Sequence, residues 1–403
     1  MIPVADALNR ILSAFAPLPA ESVALPDALG RVTAEDIRAR VTQPPATMSA
    51  MDGYAVRAED VATAPVVLRR VGEVQAGSAF GGRIGPGETV RIFTGAPLPD
   101  GADAIVIQED TEVAGDWVTV LQAGIRHRHV RFAGIDFKEG EAGIPAGRLM
   151  TARDVGLAAA MNVPWIRVRR RPRVAILATG NEVVLPGEPV GPNQIVSSNA
   201  FAISALVTAF GGVPVNLGVA LDTPESLAEL TAGARNADLL VTSGGASAGE
   251  YDLVRSVLGD RGMELDFYKI AMRPGKPLMF GRLGEVPVLG LPGNPVSSYV
   301  CSVLFLRPAL LRMQGLDPLG RRLKARLAVS IKQNDQREDY MRASLSRSQD
   351  GELIAKPFES QDSSLVTVLA WADCLIVRPP FAPAAFKDDT VEILPLNGGS
   401  FSL

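Results

Sequence analysis

The chain has few of the residues that most often carry metal and nucleophilic chemistry. Its 403 residues include two cysteines, Cys301 and Cys374, and two histidines, His127 and His129. The cysteines lie far apart in apolar patterns, one helical and one strand-like, which argues against a disulfide or a thiolate metal site. The histidines alternate with arginine in RHRHVR, where a strand would place both on one face, but no third metal ligand accompanies them. Catalysis built on histidine or cysteine is therefore disfavoured.

Long apolar runs and excess positive charge are also missing. The longest apolar stretches, such as residues 300–306, fall far short of the roughly 20 residues that a bilayer span requires. The N-terminus MIPVADALNRILSAF has an amphipathic pattern instead of that of a signal peptide. A net charge of −4 provides no basic field for nucleic acid or an anionic membrane. We expect a cytoplasmic protein with no membrane or nucleic-acid partner.

Aromatic residues make up 5% of the chain, whereas hydrophobic residues make up 47%, and there are 39 glycines and 30 prolines. This balance is typical of a folded α/β enzyme with many turns and not of a disordered protein. The chain is too long for one ordinary core, so we expect roughly two to four domains.

Strand and helix patterns change along the chain. Residues 44–138 carry short β-like runs between glycine and proline turns, which predicts a small β domain. Residues 172–318 alternate strands and helices, which predicts a parallel-rich sheet with crossover helices. Residues 319–403 return to short strands and predict a C-terminal β domain.

The remaining segments are too short to bury a core alone. We assign residues 1–20 to the α/β domain. Residues 21–43 and 139–171 are expected to pack together as a split linking subdomain, into which the small β domain is inserted.

Three glycine-containing loops follow predicted strands of the α/β domain: ATGNEVV at 178–184, TSGGASAGEYD at 242–252 and LPGNPVSS at 291–298. Ligand loops of such sheets lie at the carboxyl ends of the strands, so we expect these three to converge. Glycine permits close backbone approach and leaves N–H groups at a helix start to face an anion. We therefore predict a phosphate pocket with the binding residues Thr179, Gly180, Ser243, Gly244, Gly245, Ser247, Gly249, Gly293 and Asn294.

Carboxylates project from the same loops, at Glu182, Glu250 and Asp252. They would repel a phosphate unless a cation lay between, and Mg²⁺ prefers oxygen ligands of this kind. Asp222 follows another predicted strand and would join them, although DTPE also reads as a helix cap with proline in the first turn. We predict Mg²⁺ held by Glu182, Asp222 and Asp252, whereas Glu250 favours a helix N-terminus.

The segment FYKIAMRPGKP contributes Lys269, Arg273 and Lys276 beside a Pro-Gly turn. In an acidic chain this cluster suits an oligoanionic ligand, although by itself it also fits a solvated basic loop. The motif GxGxxG and the phosphate loop of NTPases are missing, so those classes lack their fingerprints. The residues alone predict a phosphorylated ligand with Mg²⁺ on an α/β domain.

TSGGASAGEYD with LPGNPVSS resembles the molybdopterin-binding domain shared by the MogA, MoeA and gephyrin families. These two motifs leave an adenylyltransferase, a molybdenum insertase and a CinA-like hydrolase open. Three further motifs resemble those of MoeA and the gephyrin E domain: SAMDGYAV at 49–56, IFTGAPLPDGADAIV at 92–106 and HVRFAGIDFKEGE at 129–141. Because they recur in the expected order over essentially the whole chain, the sequence is identified as a member of the MoeA family.

The resemblance implies an elongated homodimer with a MogA-like α/β domain and a C-terminal domain like a β-barrel. It implies insertion of molybdate into adenylylated molybdopterin with Mg²⁺-dependent release of AMP. Expected partners are a molybdopterin adenylyltransferase and proteins of molybdoenzyme maturation. The family's site positions fall on Asp52, Thr94, Asp136, Glu182, Asp222, Asp252, Pro292 and Pro295. The chain departs from the family pattern at Ile135, where an acid is common, and at Arg273, where lysine is common.

Alternative interpretations stay open for these motifs. Asp52-Gly53 and Thr94-Gly95 are also turn signals. If their loops reach the ligand across a dimer interface, Asp52, Thr94 and Asp136 would face the partner subunit's glycine loops. A molybdopterin adenylyltransferase would need little beyond the α/β domain. A gephyrin-like scaffold would use the serine-rich stretch QDSSLVT at 361–367 to grip a peptide.

Overall fold

The computed structural model describes residues 1–244, 257, 259–260, 262–320 and 322–396. The first part of the chain forms α1 (Val4–Ser13), β1 (Ala20–Ala24), β2 (Ile37–Arg38), β3 (Met48–Ser49), β4 (Gly53–Val56), β5 (Val66–Val74), β6 (Glu88–Ile92), β7 (Ala104–Ile107), β8 (Thr111–Ala114), β9 (Trp117–Val120), β10 (Val130–Arg131), β11 (Ala142–Ile144), α2 (Ala152–Ala160) and β12 (Trp165–Arg169).

The second part forms β13 (Arg173–Thr179), β14 (Val183–Val184), β15 (Ile195–Val196), α3 (Asn199–Ala209), β16 (Val213–Ala220), α4 (Pro224–Thr231), β17 (Leu239–Ser243), β18 (Met263–Tyr268), β19 (Met272–Arg273), β20 (Met279–Leu283), β21 (Val286–Leu291), α5 (Pro295–Cys301), α6 (Arg307–Met313), β22 (Leu323–Leu327), β23 (Glu338–Arg347), β24 (Leu353–Pro357), α7 (Val366–Ala370), β25 (Cys374–Arg378) and β26 (Thr390–Pro395).

Strands β4 to β9 form a mixed sheet of order β7-β4-β6-β5-β9-β8. Alternating side chains fill a small core on each face, one including Leu68 and the other including Ile92. The run RHRHVR is not the expected strand, because His127 and His129 have φ values of 65° and 60° and form a turn. This turn leads into β10, which pairs antiparallel with β3.

The segments that precede and follow this sheet in the sequence share one core. Strand β1 pairs antiparallel with β12, and β2 with β11. Ile37 and Ile144 lie in a single buried cluster with residues of α2 and β12. Helix α2 begins at a reciprocal cap, in which the Thr151 hydroxyl accepts the Asp154 N–H and the Asp154 carboxylate accepts the Thr151 N–H.

The α/β domain has a six-stranded sheet of order β16-β13-β17-β21-β20-β18. The first four strands are parallel, and β20 and β18 add an antiparallel edge. The central strands are buried on both faces, which explains why they read as continuous apolar runs. Helix α1, helix α3 and the helix that starts at Pro295 share the largest core, whereas α4 contributes to the core of the opposite face.

Helix α5, a π-helical turn at Ser302–Leu306 and α6 form one continuous helix, Pro295–Met313. Within the described residues it is the one helix whose length and composition would allow a membrane span, but 72% of its apolar stretch is buried inside the protein. Phe305 and Leu310 are fully buried. It is the central helix of the largest core.

The C-terminal strands close into a barrel. Strand β22 pairs with β24, β24 with β23, β23 with β25, β25 with β26, and β26 returns to β22. Strand β19 of the RPGKP segment pairs with β23, so the barrel is joined to the α/β domain by main-chain bonds. The predicted fold class, with its parallel-rich sheet and C-terminal barrel, is confirmed.

Candidate active site

The three glycine-containing loops begin side by side at the carboxyl edge of the α/β sheet. Strands β13, β17 and β21 are parallel neighbours, with Ala178 paired to Ser243 and Ser243 paired to Leu291. Because parallel strands end at the same edge, the chain leaves these three strands at one place. These loops are tens of residues apart in the sequence, and the sheet brings their starting points together.

Gly244 is a point of close approach between two of these loops. It has a φ of +100°, and a Cβ built there would lie 2.4 Å from the Thr179 carbonyl oxygen and 2.9 Å from the Thr179 hydroxyl oxygen. A Cβ built on Gly293 would lie 3.6 Å from the Gly244 Cα. Only glycine fits at position 244, because both the left-handed backbone and the contact exclude a side chain.

Three buried hydroxyl groups at this edge have no hydrogen-bond partner within the described part of the chain. They belong to Thr179, Thr242 and Ser298, which are 3%, 1% and 1% exposed. A buried polar group left without a partner costs about 1–3 kcal/mol. Native structures leave few such groups, so three of them on elements that end or begin at this edge need an explanation. Open hydroxyls at the ends of two strands and in α5 fit a ligand that is rich in oxygen acceptors.

Glu182 and Asp222 lie on two loops that hydrogen bonds join. The Asn181 N–H donates to Asp222 Oδ2 at 3.2 Å, and the Asp222 N–H donates to Asn181 Oδ1 at 3.0 Å. Glu182 and Asp222 are both exposed. The cap of α4 is Thr223, whose hydroxyl accepts the Ser226 N–H at 3.3 Å, so a capping role for Asp222 is wrong. Asp222 stands one residue before the cap, and its carboxylate contacts the loop of Glu182 instead.

Residues 245–252 of the predicted second loop lie outside the described residues, and they include the candidate residues Gly245, Ser247, Gly249, Glu250 and Asp252. In the part of the chain that the structure describes, no group of three or more His, Cys, Asp or Glu side chains is placed to hold a metal ion. Mg²⁺ commonly takes one or two protein carboxylates and completes its shell with water and substrate phosphate oxygens. The two exposed carboxylates on joined loops therefore fit Mg²⁺ by their chemistry.

Arg273 of the predicted basic cluster is paired with the C-terminal barrel. Its Nη2 lies 2.5 Å from Asp339 Oδ2, and its Nη1 lies 3.4 Å from Asp335 Oδ2. The hydrogen bond to Asp339 raises the pKa of Arg273. The guanidinium therefore helps to fasten the barrel to the RPGKP segment.

Lys269 and Lys276 lie on the two sides of one tight loop. The Lys276 carbonyl oxygen accepts the N–H groups of Ile270 and Leu278, each at 3.0 Å. Lys269 has a φ of 71°, and its ammonium group lies 4.8 Å from the centre of the Tyr268 ring. These hydrogen bonds fix the main chain of the loop that carries both lysines.

The small β domain brings Asp52 and Thr94 into contact. Asp52 Oδ1 accepts the Thr94 N–H at 2.7 Å and the Thr94 hydroxyl at 2.9 Å. These two bonds hold the pKa of Asp52 below its ordinary value, and the bond from the Thr94 main-chain N–H has the larger effect. Their contribution to stability is present above the ordinary aspartate pKa and is lost as the pH falls through the folded-state value. Asp136 is exposed, and its N–H donates to the Gln43 carbonyl oxygen at 3.1 Å.

The C-terminal barrel contacts the LPGNP loop through Ser363. Asn294 Nδ2 donates to Ser363 Oγ at 2.9 Å, and the Val296 N–H donates to the Ser363 carbonyl oxygen at 3.1 Å. In the scaffold interpretation the stretch at 361–367 grips a partner peptide, but its Ser363 contacts Asn294 and Val296 of the same chain. A segment distant in sequence completes the start of α5.

Arg342, on β23, is a buried cation that sequence reasoning missed. It is 0% exposed, its Nη2 donates to the Asp362 carbonyl oxygen at 3.2 Å, and its Nε and Nη1 have no partner among the described residues. Burial lowers the pKa of Arg342. A buried guanidinium with donors that lack described partners is suited to an anion. Its partner Asp362 directly precedes Ser363, which contacts the LPGNP loop. In the strand pattern YMRASLSR an arginine reads as solvent-facing, so the sequence offers no signal for it.

Family models match three consecutive parts of the chain. The MoeA N-terminal region (domain I and II) matches residues 2–162, a probable molybdopterin binding domain matches residues 175–312, and the MoeA C-terminal region (domain IV) matches residues 324–396. The fold and these matches define a multidomain enzyme class built on a molybdopterin-binding α/β domain.

Relatives match over most of their length. A molybdopterin molybdenumtransferase from Nostoc sp. is 36% identical, over 89% of this chain and 85% of the relative. One from Haemophilus influenzae is 31% identical, over 94% of this chain and 95% of the relative. Two solved structures of MoeA proteins from Pyrococcus horikoshii have TM-scores of 0.86 and 0.84 at 32% and 27% identity. The matches cover 99% and 98% of this chain and 100% of each solved chain. The chain belongs to the MoeA family of molybdopterin molybdenumtransferases.

Proposed function

We propose that the chain inserts molybdenum, taken from molybdate, into adenylylated molybdopterin with Mg²⁺-dependent release of AMP. The observation that carries the proposal is that buried hydroxyls of Thr179, Thr242 and Ser298, next to the glycine-containing loops, lack partners among the described residues, in a chain of the MoeA family. Phosphate oxygens accept hydrogen bonds from hydroxyls and from main-chain N–H groups at helix starts. The substrate's pyrophosphate supplies acceptors of this kind.

In this proposal the loops at the sheet edge bind the phosphates and the pterin. Glycine lets the main chain approach the ligand, and the threonine and serine hydroxyls donate to it. Pro295 occupies the first turn of α5, where a missing N–H costs nothing. The binding surface comprises Thr179, Gly180, Ser243, Gly244, Gly245, Ser247, Gly249, Pro292, Gly293, Asn294 and Pro295.

Glu182 and Asp222 are the described residues that would hold Mg²⁺, together with Asp252. When bound, the cation offsets the negative charge that develops as the phosphoanhydride is cleaved. The hydrogen bonds of Asn181 hold Asp222 against the loop of Glu182 before substrate arrives. The chain thereby orients its carboxylates in advance.

The anionic substrates require positive charge at the same edge. We assign Lys269, Arg273 and Lys276 to the phosphate or molybdate oxygens, with Arg273 also paired to Asp339. Arg342 and Ser298 add buried donors that have no partner among the described residues and that suit an oxyanion. Two cationic segments, one from the α/β domain and one from the barrel, would then enclose molybdate.

We further propose that the enzyme is a homodimer in which Asp52, Thr94 and Asp136 complete the site of the partner subunit. The exposed Asp136 and Thr94 support a surface role. Mixed dimers of Asp52→Ala and Asp222→Ala subunits should regain roughly one quarter of wild-type activity, because random mixing gives half heterodimers with one intact site each. Activity in the mixture no higher than in either single variant would contradict a shared site.

The domain boundaries and the cellular setting belong to the same proposal. The shared core of Ile37 and Ile144 supports a linking subdomain made from residues 21–43 and 139–171. We place the enzyme in the cytoplasm, where a molybdopterin adenylyltransferase supplies its substrate and molybdoenzyme maturation proteins take its product.

The test is AMP release from purified adenylylated molybdopterin. Wild-type protein should release AMP only when molybdate and Mg²⁺ are both present. Asp222→Ala should lower the rate at limiting Mg²⁺ by about ten- to thirtyfold and should recover partly at high Mg²⁺, because one ligand is lost. Glu229→Ala, on α4, is the matched control and should behave as wild type. Tight substrate binding without AMP release under any condition would contradict the proposal.

A further inference from the structure

Asn199, the first residue of α3, connects two loops of the candidate site. Its Nδ2 donates to Ser243 Oγ at 2.8 Å and to the Gly293 carbonyl oxygen at 2.7 Å. Because a carbonyl oxygen only accepts hydrogen bonds, the amide nitrogen must be the atom that faces it. Both N–H groups of one side-chain amide are thereby used, one on each loop.

These bonds serve the tertiary structure and not helix α3 itself. Asparagine near a helix start commonly accepts main-chain N–H groups of the first turn. The cap residue Ser198 makes no side-chain capping bond, and Asn199 directs its amide to residues 44 and 94 positions away. The side chain therefore holds the ends of β17 and β21 in place.

The same bonds determine what the Ser243 hydroxyl offers to a ligand. Ser243 is 3% exposed, and its oxygen accepts from Asn199. A hydroxyl has a single hydrogen to donate. Asn199 Nδ2 cannot accept it, and among the described residues Ser243 Oγ donates to no other acceptor, so that hydrogen is available at the edge where Gly244 and Gly293 meet.

We infer that Asn199 is a positioning residue that holds the Ser243 and Gly293 loops at the spacing the substrate phosphates require and keeps Ser243 a donor toward them. The inference rests on the proposed function, since it treats the ligand of these loops as an oxyanion. Asn199 acts on the substrate through Ser243 and Gly293.

Asn199→Asp tests this role with little change of shape. Aspartate is favourable in the first turn of a helix, but its carboxylate would accept the Ser243 hydrogen and repel the Gly293 carbonyl oxygen. We expect KM for adenylylated molybdopterin to rise about tenfold while kcat changes less than about twofold. Asn199→Ala, which removes the donors without adding an acceptor, should raise KM less.

Asn216→Asp on β16 is the matched control. The Asn216 Oδ1 accepts the Gly218 N–H at 2.9 Å, and aspartate keeps that acceptor. This variant adds the same charge to the same α/β domain, on a strand and away from the loops, so its KM should equal that of wild type. A rise in KM as large as that of Asn199→Asp would overturn the inference.

Hydrogen exchange of the substrate-free protein separates this inference from the proposed function. Amides at 243–244, 293–294 and 296–298 should exchange at least about threefold faster in Asn199→Asp than in Asn216→Asp, with melting temperatures within about 2 °C. Unchanged exchange at either loop, or an unchanged KM in an active enzyme, would overturn the inference. If wild-type protein releases no AMP, the proposed function fails, and the exchange rates still decide the role of Asn199.

Discussion

Replacing Gly244 with alanine should lower kcat/KM of the insertion reaction by at least about 100-fold and destabilise the α/β domain by roughly 2 kcal/mol. The added Cβ would lie 2.4 Å from the Thr179 carbonyl oxygen, a main-chain atom that no side-chain rotation can move. The φ of +100° adds strain for any residue with a Cβ. The loop must shift away from Thr179, and a shift of about 1 Å in a catalytic site can reduce the rate about 100-fold.

Gly284→Ala is the matched control for this prediction. Gly284 also has a positive φ, +60°, but a Cβ there meets no atom within 4 Å. It lies in the tight turn between β20 and β21, at the far end of the same sheet. Steady-state kinetics should show near wild-type activity for Gly284→Ala. Equal losses in the two variants, or full activity of Gly244→Ala, would show that the close approach to Thr179 has no role in the site.

Arg342→Met should raise KM for molybdate by about 100-fold without lowering the melting temperature. Hydrogen bonds to a charged group contribute about 1.5–3 kcal/mol each, and the Nε and Nη1 of Arg342 have no partner in the part of the chain that the structure describes. Removing a fully buried cation relieves a desolvation cost that the single bond from Nη2 to the Asp362 carbonyl oxygen offsets only in part, so a methionine of similar length is neutral or stabilising for the fold. Loss of function with preserved stability is the signature expected of a binding residue.

Arg347→Met provides the comparison, because Arg347 lies on the same strand, is exposed, and donates to the Gly351 carbonyl oxygen. It should leave KM for molybdate unchanged. A fall of several degrees in the melting temperature of Arg342→Met with normal KM would mean that Arg342 is structural.

Much of the α/β domain follows from local sequence patterns. The run at 237–241 predicts β17 because a strand covered on both faces is apolar throughout. Glycines directly after strand ends predict loops that meet, since parallel strands share an edge. The site positions Asp52 and Thr94 and the closed barrel were predicted only through the resemblance to the MoeA family, and the contact between Asp52 and Thr94 was not predicted.

The remaining features depend on contacts between distant segments. Strands β18 and β20 were missed because MELDFY and MFGRL mix polar and apolar residues at an antiparallel edge. Arg342 and Asn199 acquire their roles from partners on other elements, which no local pattern encodes. The turn at His127 and His129 was predicted as a strand because alternation alone does not reveal a positive φ.

The most direct test of the central claim is a single-turnover experiment that counts molybdenum and AMP together. Purified protein in excess is mixed with adenylylated molybdopterin, molybdate and Mg²⁺, and the molybdenum bound to the pterin product is measured by elemental mass spectrometry beside released AMP. We predict equal amounts of both, each falling to background when molybdate is omitted. AMP released without molybdenum in the product would contradict the insertion mechanism.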